Sequence, residues 1–182
     1  MANISMRGIW GQLRPFPTEA AIAARDRSLI ERIISGGQTG ADRAALDFAI
    51  GHGIPHGGWV PRGRKTEAGR LPDRYRLQEM PFATYWRRTE RNVLAADGTL
   101  IVSHGRLSGG CALTRRFAKL HGRPWLYVDL SRQAVEAAGN EVRAWIEQND
   151  IHVLNVAGPR ASQDPRIYRD TFSLLVSIYR YY

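Results

Sequence analysis

The chain has 182 residues, of which 43% are hydrophobic, as expected for one globular domain with a sizeable core. No apolar run is long enough to cross a membrane, and a single cysteine excludes an internal disulfide and a cysteine zinc site. The five histidines lack metal-ligand spacing, so we expect no metal-binding residues. No secretory signal is visible, which predicts a cytoplasmic protein without a membrane partner. The net charge of +9 favours an anionic ligand or nucleic acid, although it could serve solubility alone.

Residues 1–28 lack a regular pattern, and we expect them to be an N-terminal extension to a single domain over residues 29–182. Strands and helices then alternate. Strands are predicted over residues 31–35, 57–60, 99–103, 125–129 and 152–156, and helices over 39–52 and 85–96 and from residues 110, 131 and 164 onward. This alternation predicts an α/β fold, Rossmann-like and doubly wound, with a mainly parallel sheet and helices on both faces.

The segment over residues 61–85 is predicted to be long and irregular, which in a compact domain is typical of a functional or a disordered loop. It is also basic, since residues 62–91 hold nine Lys or Arg residues against four Asp or Glu residues. Arg64 and Glu67 lie in this segment. They could close over a ligand or form a solvated surface ion pair, which would contribute little stability.

A glycine-rich turn follows the first predicted strand and leads straight into a helix. It includes Gly36, Gly37 and Gly40, and neither of the two common phosphate-binding glycine motifs is present. A helix N-terminus offers free amides and a positive dipole end, so this turn is predicted to bind an anion through the amides of residues 37–41. The same sequence could also be a tight connection without a ligand.

Two further glycine turns follow later strands, one at residues 107–110 and one at residues 157–160. Ligands of parallel sheets bind at the carboxyl ends of the strands, where all three turns are expected to lie. The predicted site therefore combines residues 36–43, 103–114 and 155–162.

Six ordered pieces of this sequence resemble the putative molybdenum carrier family. They are residues 36–43 (GGQTGADR), 57–64 (GGWVPRGR), 88–93 (RTERNV), 97–101 (DGTLI), 107–114 (LSGGCALT) and 155–160 (NVAGPR). The resemblance covers residues 31–179. It implies a binding protein for molybdenum cofactor or molybdate that forms a homo-oligomer, for which the aromatic end of the last helix (Tyr179, Tyr181 and Tyr182) offers a plausible contact surface.

A more distant resemblance is to the lonely-guy phosphoribohydrolases, once labelled lysine decarboxylases. Their pattern places an Asp nine residues after an Arg, as Arg88 and Asp97 are placed here, and a glycine pair that corresponds to Gly109 and Gly110. Their catalytic glutamate corresponds to Arg116, which cannot act as a carboxylate. The resemblance therefore implies phosphate binding without the same hydrolysis.

Arg88 is the strongest single candidate, because a guanidinium can bind an oxyanion with two hydrogen bonds. Asp42 could contact a ligand hydroxyl or stabilise its own helix, and Thr114 could bind ligand or only bond back to its helix. Cys111 could react or bind molybdenum, but burial as a small apolar residue is the more common role. Trp86, Trp125 and Trp145 are interpreted as core residues. The predicted ligand-binding residues are Gly36, Gly37, Gln38, Thr39, Gly40, Asp42, Arg64, Arg88, Thr89, Asn92, Ser108, Gly109, Gly110, Cys111, Thr114, Gly158 and Arg160.

The leading interpretation is a non-catalytic carrier for a phosphorylated or oxyanionic ligand, such as molybdenum cofactor, molybdate or a nucleotide. The alternative is a nucleotide sensor, or an enzyme that acts on a nucleotide N-glycosidic bond, with Glu67 or Asp42 supplying the carboxylate. Nucleic-acid binding has no supporting motif. No catalytic residue is predicted.

Overall fold

The computed structural model describes residues 30–179. The expected extension over residues 1–28 and the terminal Tyr181 and Tyr182 lie outside these residues. The helices are α1 (Ala41–Gly51), α2 (Tyr85–Leu94), α3 (Gly109–Leu120), α4 (Val135–Gln148) and α5 (Ile167–Tyr179). The strands are β1 (Arg32–Ser35), β2 (His56–Gly57), β3 (Trp59–Val60), β4 (Lys65–Thr66), β5 (Gly69–Arg70), β6 (Gln78–Glu79), β7 (Gly98–Ser103), β8 (Trp125–Asp129) and β9 (Val153–Ala157).

The main sheet has five strands in the order β2-β1-β9-β7-β8, and every neighbouring pair is parallel. In the register, Ile34 of β1 pairs with Asn155 of β9, which in turn pairs with Thr99 of β7. The three glycine turns follow β1, β7 and β9, and therefore lie together at the carboxyl edge of the sheet. The predicted α/β fold with a parallel sheet is confirmed.

Two helical layers cover the sheet. Helices α1, α4 and α5 bury the main core on one face, where Ala45, Phe48 and Val142 are fully covered. Helices α2 and α3 pack against each other on the other face through a smaller core that includes Val93 and Phe117. Within residues 30–179 no helix combines the length and apolar character that crossing a membrane requires.

The strand predicted over residues 57–60 is two strands. β2 pairs with β1 in the main sheet, whereas β3 pairs with β6 in a separate ladder. The break falls at Gly58, whose φ of 121° is a conformation that glycine adopts without strain. A Cβ at this position would also overlap the carbonyl oxygen of Ser35, so the chain leaves the sheet here because the residue is glycine.

The segment predicted to be irregular has structure of its own. It forms a 3₁₀ turn over Arg62–Arg64, the β4–β5 hairpin and strand β6. Leu71, Tyr75 and Leu77 pack with Val60 and with Leu46 of α1 in a small separate core. This packing holds the segment beside the first glycine turn.

Two helices begin later than predicted. α4 begins at Val135 and not at residue 131, because Ser131 donates its amide and hydroxyl to the Asp129 carboxylate in a turn, at 3.0 and 2.6 Å. α5 begins at Ile167, so Asp164 and Pro165 precede the helix. In α3, the helical spacing of Phe117 and Leu120 predicts one shared face, but Phe117 is buried and Leu120 is 68% exposed.

Asp129 ties the end of β8 to the loop after β7. Its Oδ1 accepts the Gly105 amide at 2.8 Å in addition to the two bonds from Ser131. Desolvation opposes ionisation, but these hydrogen bonds outweigh it and lower the pKa of Asp129 from 3.8 to about 2. A lowered pKa stabilises the fold above the ordinary pKa, and this contribution is lost as the pH falls through the folded-state value.

We therefore expect Asp129→Asn to lower the melting temperature at pH 7, and the difference from the parent chain to shrink as the pH falls from 3.8 to about 2. Thermal melts over this pH range measure the difference. The exposed Glu136→Gln is the control for the removal of one negative charge. A difference that stays constant with pH would contradict the prediction.

Candidate functional site

A cavity of about 630 Å³ opens at the carboxyl edge of the sheet, between the first glycine turn, α2 and the start of α3. Its volume lies in the range of sites for small organic ligands. The residues that line it come from all three predicted segments and from α2. Of the predicted site residues, the lining includes Gly36, Gln38, Asp42, Arg88, Thr89, Asn92, Gly109, Gly110, Cys111, Thr114, Gly158 and Arg160. The structure thus brings together most of the predicted site.

Arg88 enters this cavity over the first glycine of the β1 turn. A Cβ on Gly36 would overlap the Arg88 guanidinium and lie 2.8 Å from Oδ2 of Asp42. Residue 36 must therefore be glycine, because the Arg88 side chain occupies the space that a Cβ would take. Nη1 of Arg88 lies 3.3 Å from Oδ2 of Asp42, and the two side chains are 14% and 7% exposed.

The Arg88 guanidinium keeps donors for a ligand. Its Nε is buried and has no hydrogen-bond partner among residues 30–179. A buried donor without an acceptor is costly, so the Arg88 guanidinium is not fully satisfied by the described protein groups. Because Arg88 also lines the cavity, it is the leading candidate there for pairing with an oxyanion.

Asp42 provides the counter-charge to Arg88 and shapes the first turn. Its Oδ2 accepts the Gln38 amide at 3.2 Å. Burial raises the pKa of the Asp42 carboxyl above its ordinary value, although the Arg88 charge and the Gln38 amide act to lower it. Of the described residues that line the cavity, Asp42 is the one acidic side chain.

The start of α3 lies across the cavity from the first turn. Ser108 has extended backbone angles, and its carbonyl accepts the amides of Cys111 and Ala112. The amides of Gly109 and Gly110, the two residues just before Cys111, have no main-chain acceptor within the described part of the chain. They lie at the positive end of a 12-residue helix and line the cavity, so this turn can bind an anion as predicted.

The first glycine turn differs from the prediction, because the protein itself satisfies several of its amides. The Gln38 amide donates to Asp42, the Thr39 amide to the Gln38 side chain, and the Ala41 amide to the carbonyl of Pro159 at 3.2 Å. Gly37 packs against the small core around Leu71 and does not line the cavity. The predicted anion cradle over residues 37–41 is thus mainly a structural turn.

Three polar residues of the cavity wall already make hydrogen bonds within the protein. The side-chain nitrogen of Asn92 donates to the main-chain carbonyl of Trp59 at 3.2 Å, and the side-chain oxygen of Asn92 accepts from the main-chain amide of Trp59 at 2.8 Å. These two bonds fix β3 to α2. The Thr114 hydroxyl donates to the carbonyl of Gly110 in its own helix, which is the second of the two roles considered for it from the sequence. The Thr89 hydroxyl likewise donates to the carbonyl of Tyr85. These residues shape the cavity and offer a ligand few free donors.

Arg64 does not line the cavity, and its predicted role in ligand binding has no support in its contacts. Its guanidinium donates to four main-chain carbonyls, those of Leu71, Pro72, Tyr75 and Leu77, at 2.8–3.2 Å. It is 8% exposed and has a positive φ of 52°. Arg64 therefore holds the segment over residues 61–80 together.

We expect Arg64→Met to destabilise this segment by about 2–4 kcal/mol, because several buried carbonyls lose their donor at once. Hydrogen exchange of residues 61–80 measures the effect locally, and thermal melting measures it globally. Arg70→Met is the matched control, since Arg70 is 59% exposed and pairs with an exposed Asp73. Equal exchange in the two variants would contradict the assignment.

Several cavity residues were missed from the sequence. Trp86, assigned to the core, is 45% exposed and lines the cavity together with Tyr85, whereas Trp125 and Trp145 do pack on the cores. Tyr85 and Trp86 lie three and two residues before Arg88 on the same helix, and this closeness was the signal available in the sequence. Asn155 lies in the predicted segment 155–162 but was not among the predicted ligand-binding residues. It is 2% exposed in an otherwise apolar strand, lines the cavity and donates to Thr99 at 3.2 Å.

Cys111 is 7% exposed, and burial raises the pKa of its thiol to about 12. It is therefore a neutral thiol in the cavity wall. Asp97 lies at the opposite edge of the sheet, where it accepts the amides of His152 and Val153 at 3.1 and 2.7 Å. Its spacing from Arg88 thus does not place it in the site. Arg116 is exposed and does not line the cavity.

The parallel sheet, the two helical layers and a cavity at the strand carboxyl ends define a Rossmann-like α/β protein with a candidate ligand site. A sequence profile of the circularly permutated YpsA SLOG family, cpYpsA, matches residues 33–179, and the chain belongs to this family.

A solved structure, that of a putative molybdenum carrier protein from Syntrophus aciditrophicus, is similar with a TM-score of 0.83 and 55% sequence identity. The similarity covers 85% of this chain and 98% of that one. Among curated proteins no sequence matched the chain. The resemblance to the molybdenum carrier family is confirmed.

Proposed function

We propose that this chain is a non-catalytic carrier that binds a small phosphorylated or oxyanionic ligand in the cavity between the first glycine turn, α2 and α3. The observation that carries the proposal is that Arg88, whose guanidinium is not fully hydrogen-bonded within the described chain, lines the same cavity as Gly109 and Gly110, whose amides have no main-chain acceptor there. A guanidinium and a helix N-terminus together suit a phosphate or molybdate group.

The name of the relative from Syntrophus aciditrophicus supports molybdenum cofactor or molybdate as the first candidate ligand. The cavity volume of about 630 Å³ favours a ligand with an organic part over a bare oxyanion. Tyr85 and Trp86, 50% and 45% exposed at the cavity, offer aromatic faces on which a planar ring can stack. A pterin phosphate has both chemical features, and so does a nucleotide.

Native mass spectrometry of the protein purified without added ligand tests the proposal, together with elemental analysis for molybdenum. We expect a 1:1 complex that dissociates on denaturation and is absent from a parallel preparation of Arg88→Ala. A ligand retained equally by Arg88→Ala would contradict this site. Retention without molybdenum would favour the nucleotide.

An N-glycosidic hydrolase is the second candidate, because the Asp42 carboxyl lies in the cavity wall beside Arg88. Such chemistry needs a carboxylate near the anomeric carbon, where positive charge develops. Burial raises the pKa of Asp42, and Glu67 is engaged by other residues outside the cavity lining. A site without a suitable catalytic carboxylate is commonly slower by about 10²–10⁴-fold than one that has such an acid–base group.

We therefore expect the purified protein to release no free base from adenosine or cytidine monophosphate above background. Arg116→Glu should not create activity, because residue 116 is exposed and outside the cavity lining. Chromatographic detection of ribose phosphate provides the measurement. A turnover near one per second would overturn the carrier proposal and make Asp42→Asn the next variant to test.

We also propose a cytoplasmic homo-oligomer. Tyr179 is half-buried and packs on Phe48, with ring centroids 5.3 Å apart, so the predicted aromatic surface at the end of α5 is partly used by the core. Light scattering at micromolar concentration tests the oligomer, and a monomeric mass would refute it.

A further inference from the structure

The tip of the β4–β5 hairpin contacts both the first and the third glycine turns through one side chain. Oε1 of Glu67 accepts hydrogen bonds from the Thr39 hydroxyl and, at 3.1 Å, from the Ser162 amide. Oε2 accepts the Ser162 hydroxyl and lies 3.6 Å from Nε of Arg160. The Glu67 side chain is 19% exposed, so these donors cover most of it.

These groups have the chemistry of an oxyanion site. Two hydroxyls, one amide and one guanidinium converge on two anionic oxygens, which is how proteins bind phosphate. The Ala161 amide donates to Oγ1 of Thr39 at 3.0 Å, so the Thr39 hydroxyl hydrogen is left for the carboxylate. Desolvation acts to raise the pKa of Glu67, but the hydrogen bonds from Ser162 and Thr39 and the charge of Arg160 lower it, so the side chain is an anion at neutral pH.

The donor set adjoins the main cavity. Arg160 belongs to both, since it lines the cavity and faces Glu67. Gln38 also lines the cavity, and its side-chain oxygen accepts the amides of Thr39 and Glu67 at 3.0 and 2.9 Å. The Glu67 carboxylate therefore occupies the position that an anionic group would take if it moved from the cavity towards Thr39.

The hairpin is anchored firmly at its base and weakly at its tip. Arg64, with its four carbonyl partners, holds the base. Residues 68–70 are exposed, and the hydrogen bonds of Thr66 go to Gly69 and Ala68 within the hairpin. The hydrogen bonds described between the tip and the two glycine turns all involve Glu67.

We propose that Thr39, Ser162 and Arg160 form an oxyanion subsite of the cavity, which Glu67 fills until a tetrahedral oxyanion displaces it. This inference rests on the proposed function, and the oxyanion is either a free ion or the phosphate group of a larger ligand. Displacement frees the hairpin tip from both turns. Because the coupling is reciprocal, the closed hairpin weakens anion binding to the same degree that the anion opens the hairpin.

Isothermal titration of the full chain and of Glu67→Gln tests the subsite, with tungstate as the free ion and adenosine monophosphate as the phosphate ester. If Glu67 occupies the subsite in more than nine-tenths of the molecules, its removal should tighten anion binding by about 10-fold or more. Tightening for tungstate alone or for the ester alone identifies the source of the oxyanion, and either result supports the subsite. Arg160→Gln on the Glu67→Gln background should abolish the gain.

Glu79→Gln is the matched control, because it removes the same charge from the same segment and its carboxylate accepts the Gly63 amide instead, at 2.6 Å. In hydrogen exchange, the amide of Glu67 should lose protection when a saturating anion is added to the parent chain. Unchanged or weaker binding by Glu67→Gln, or an equal gain in Glu79→Gln, would overturn the subsite while leaving the carrier proposal intact. Absence of binding in every variant, the parent chain included, would overturn both.

Discussion

Arg88→Ala is expected to weaken oxyanion binding by about 10-fold to 100-fold, because a charge-assisted hydrogen bond from a mostly buried guanidinium is lost. Arg88 is 14% exposed, and water cannot easily replace its donors at that position. The loss also leaves Asp42 buried without its counter-charge, and a carboxyl whose pKa burial already raises will then bind a proton more readily. Titration of tungstate or a nucleoside monophosphate gives the dissociation constants.

Arg91→Ala is the matched control for this measurement. Arg91 lies on the same helix, is exposed, and stacks its guanidinium 5.0 Å from the Trp59 ring. Its removal changes the net charge equally but leaves the cavity lining untouched. Equal weakening in the two variants would mean that net charge alone attracts the anion, and an unchanged titration for Arg88→Ala would remove Arg88 from the site.

Gly40→Ala is expected to destabilise the fold by about 3 kcal/mol or more, through strain and overpacking together. Gly40 has φ 71° and ψ −130°, a region that residues with a Cβ avoid. A Cβ would also overlap the carbonyl oxygen of Pro159 and lie 2.9 Å from the Ala161 amide nitrogen. These atoms are main chain, so they cannot yield as a flexible side chain would, and the first and third glycine turns would be forced apart.

Gly53→Ala separates the two contributions. Gly53 also has a positive φ, 67°, but a Cβ there would meet no atom within 4 Å. We expect it to cost only about 1 kcal/mol, from backbone strain alone. Denaturant unfolding of both variants gives the difference. Equal destabilisation would show that the close packing of the two turns does not matter for stability.

The sequence predicted the fold well because the relevant signals are local. Strand and helix periodicity, and the glycines that follow β1, β7 and β9, can be recognised from neighbouring residues alone. The order of those elements then predicted a parallel sheet with its candidate ligand site at the carboxyl edge. Local signals failed where tertiary contacts moved a boundary, as at Gly58, where the main chain of Ser35 comes too close for a side chain.

The candidate site was predicted less completely. The sequence by itself determined that Asp42, the Gly109–Gly110 pair and the third glycine turn would share one edge of the sheet, because each follows a strand end. Arg88 lies within α2 and was a candidate through its guanidinium and the distant resemblance, and only the tertiary structure places it in the cavity. The sequence also determined that residue 116, the position of the catalytic glutamate in the distant resemblance, is an arginine.

Only the tertiary structure decided which polar groups remain available to a ligand. The Ala161 amide that donates to Thr39 lies 122 residues away in the chain, and the Ser162 donors lie 95 residues from Glu67. Arg64 likewise finds its carbonyl partners only after the segment around Tyr75 has folded. Hydrogen-bond satisfaction depends on distances between remote segments, and a sequence pattern records which donors and acceptors exist but not which of them meet.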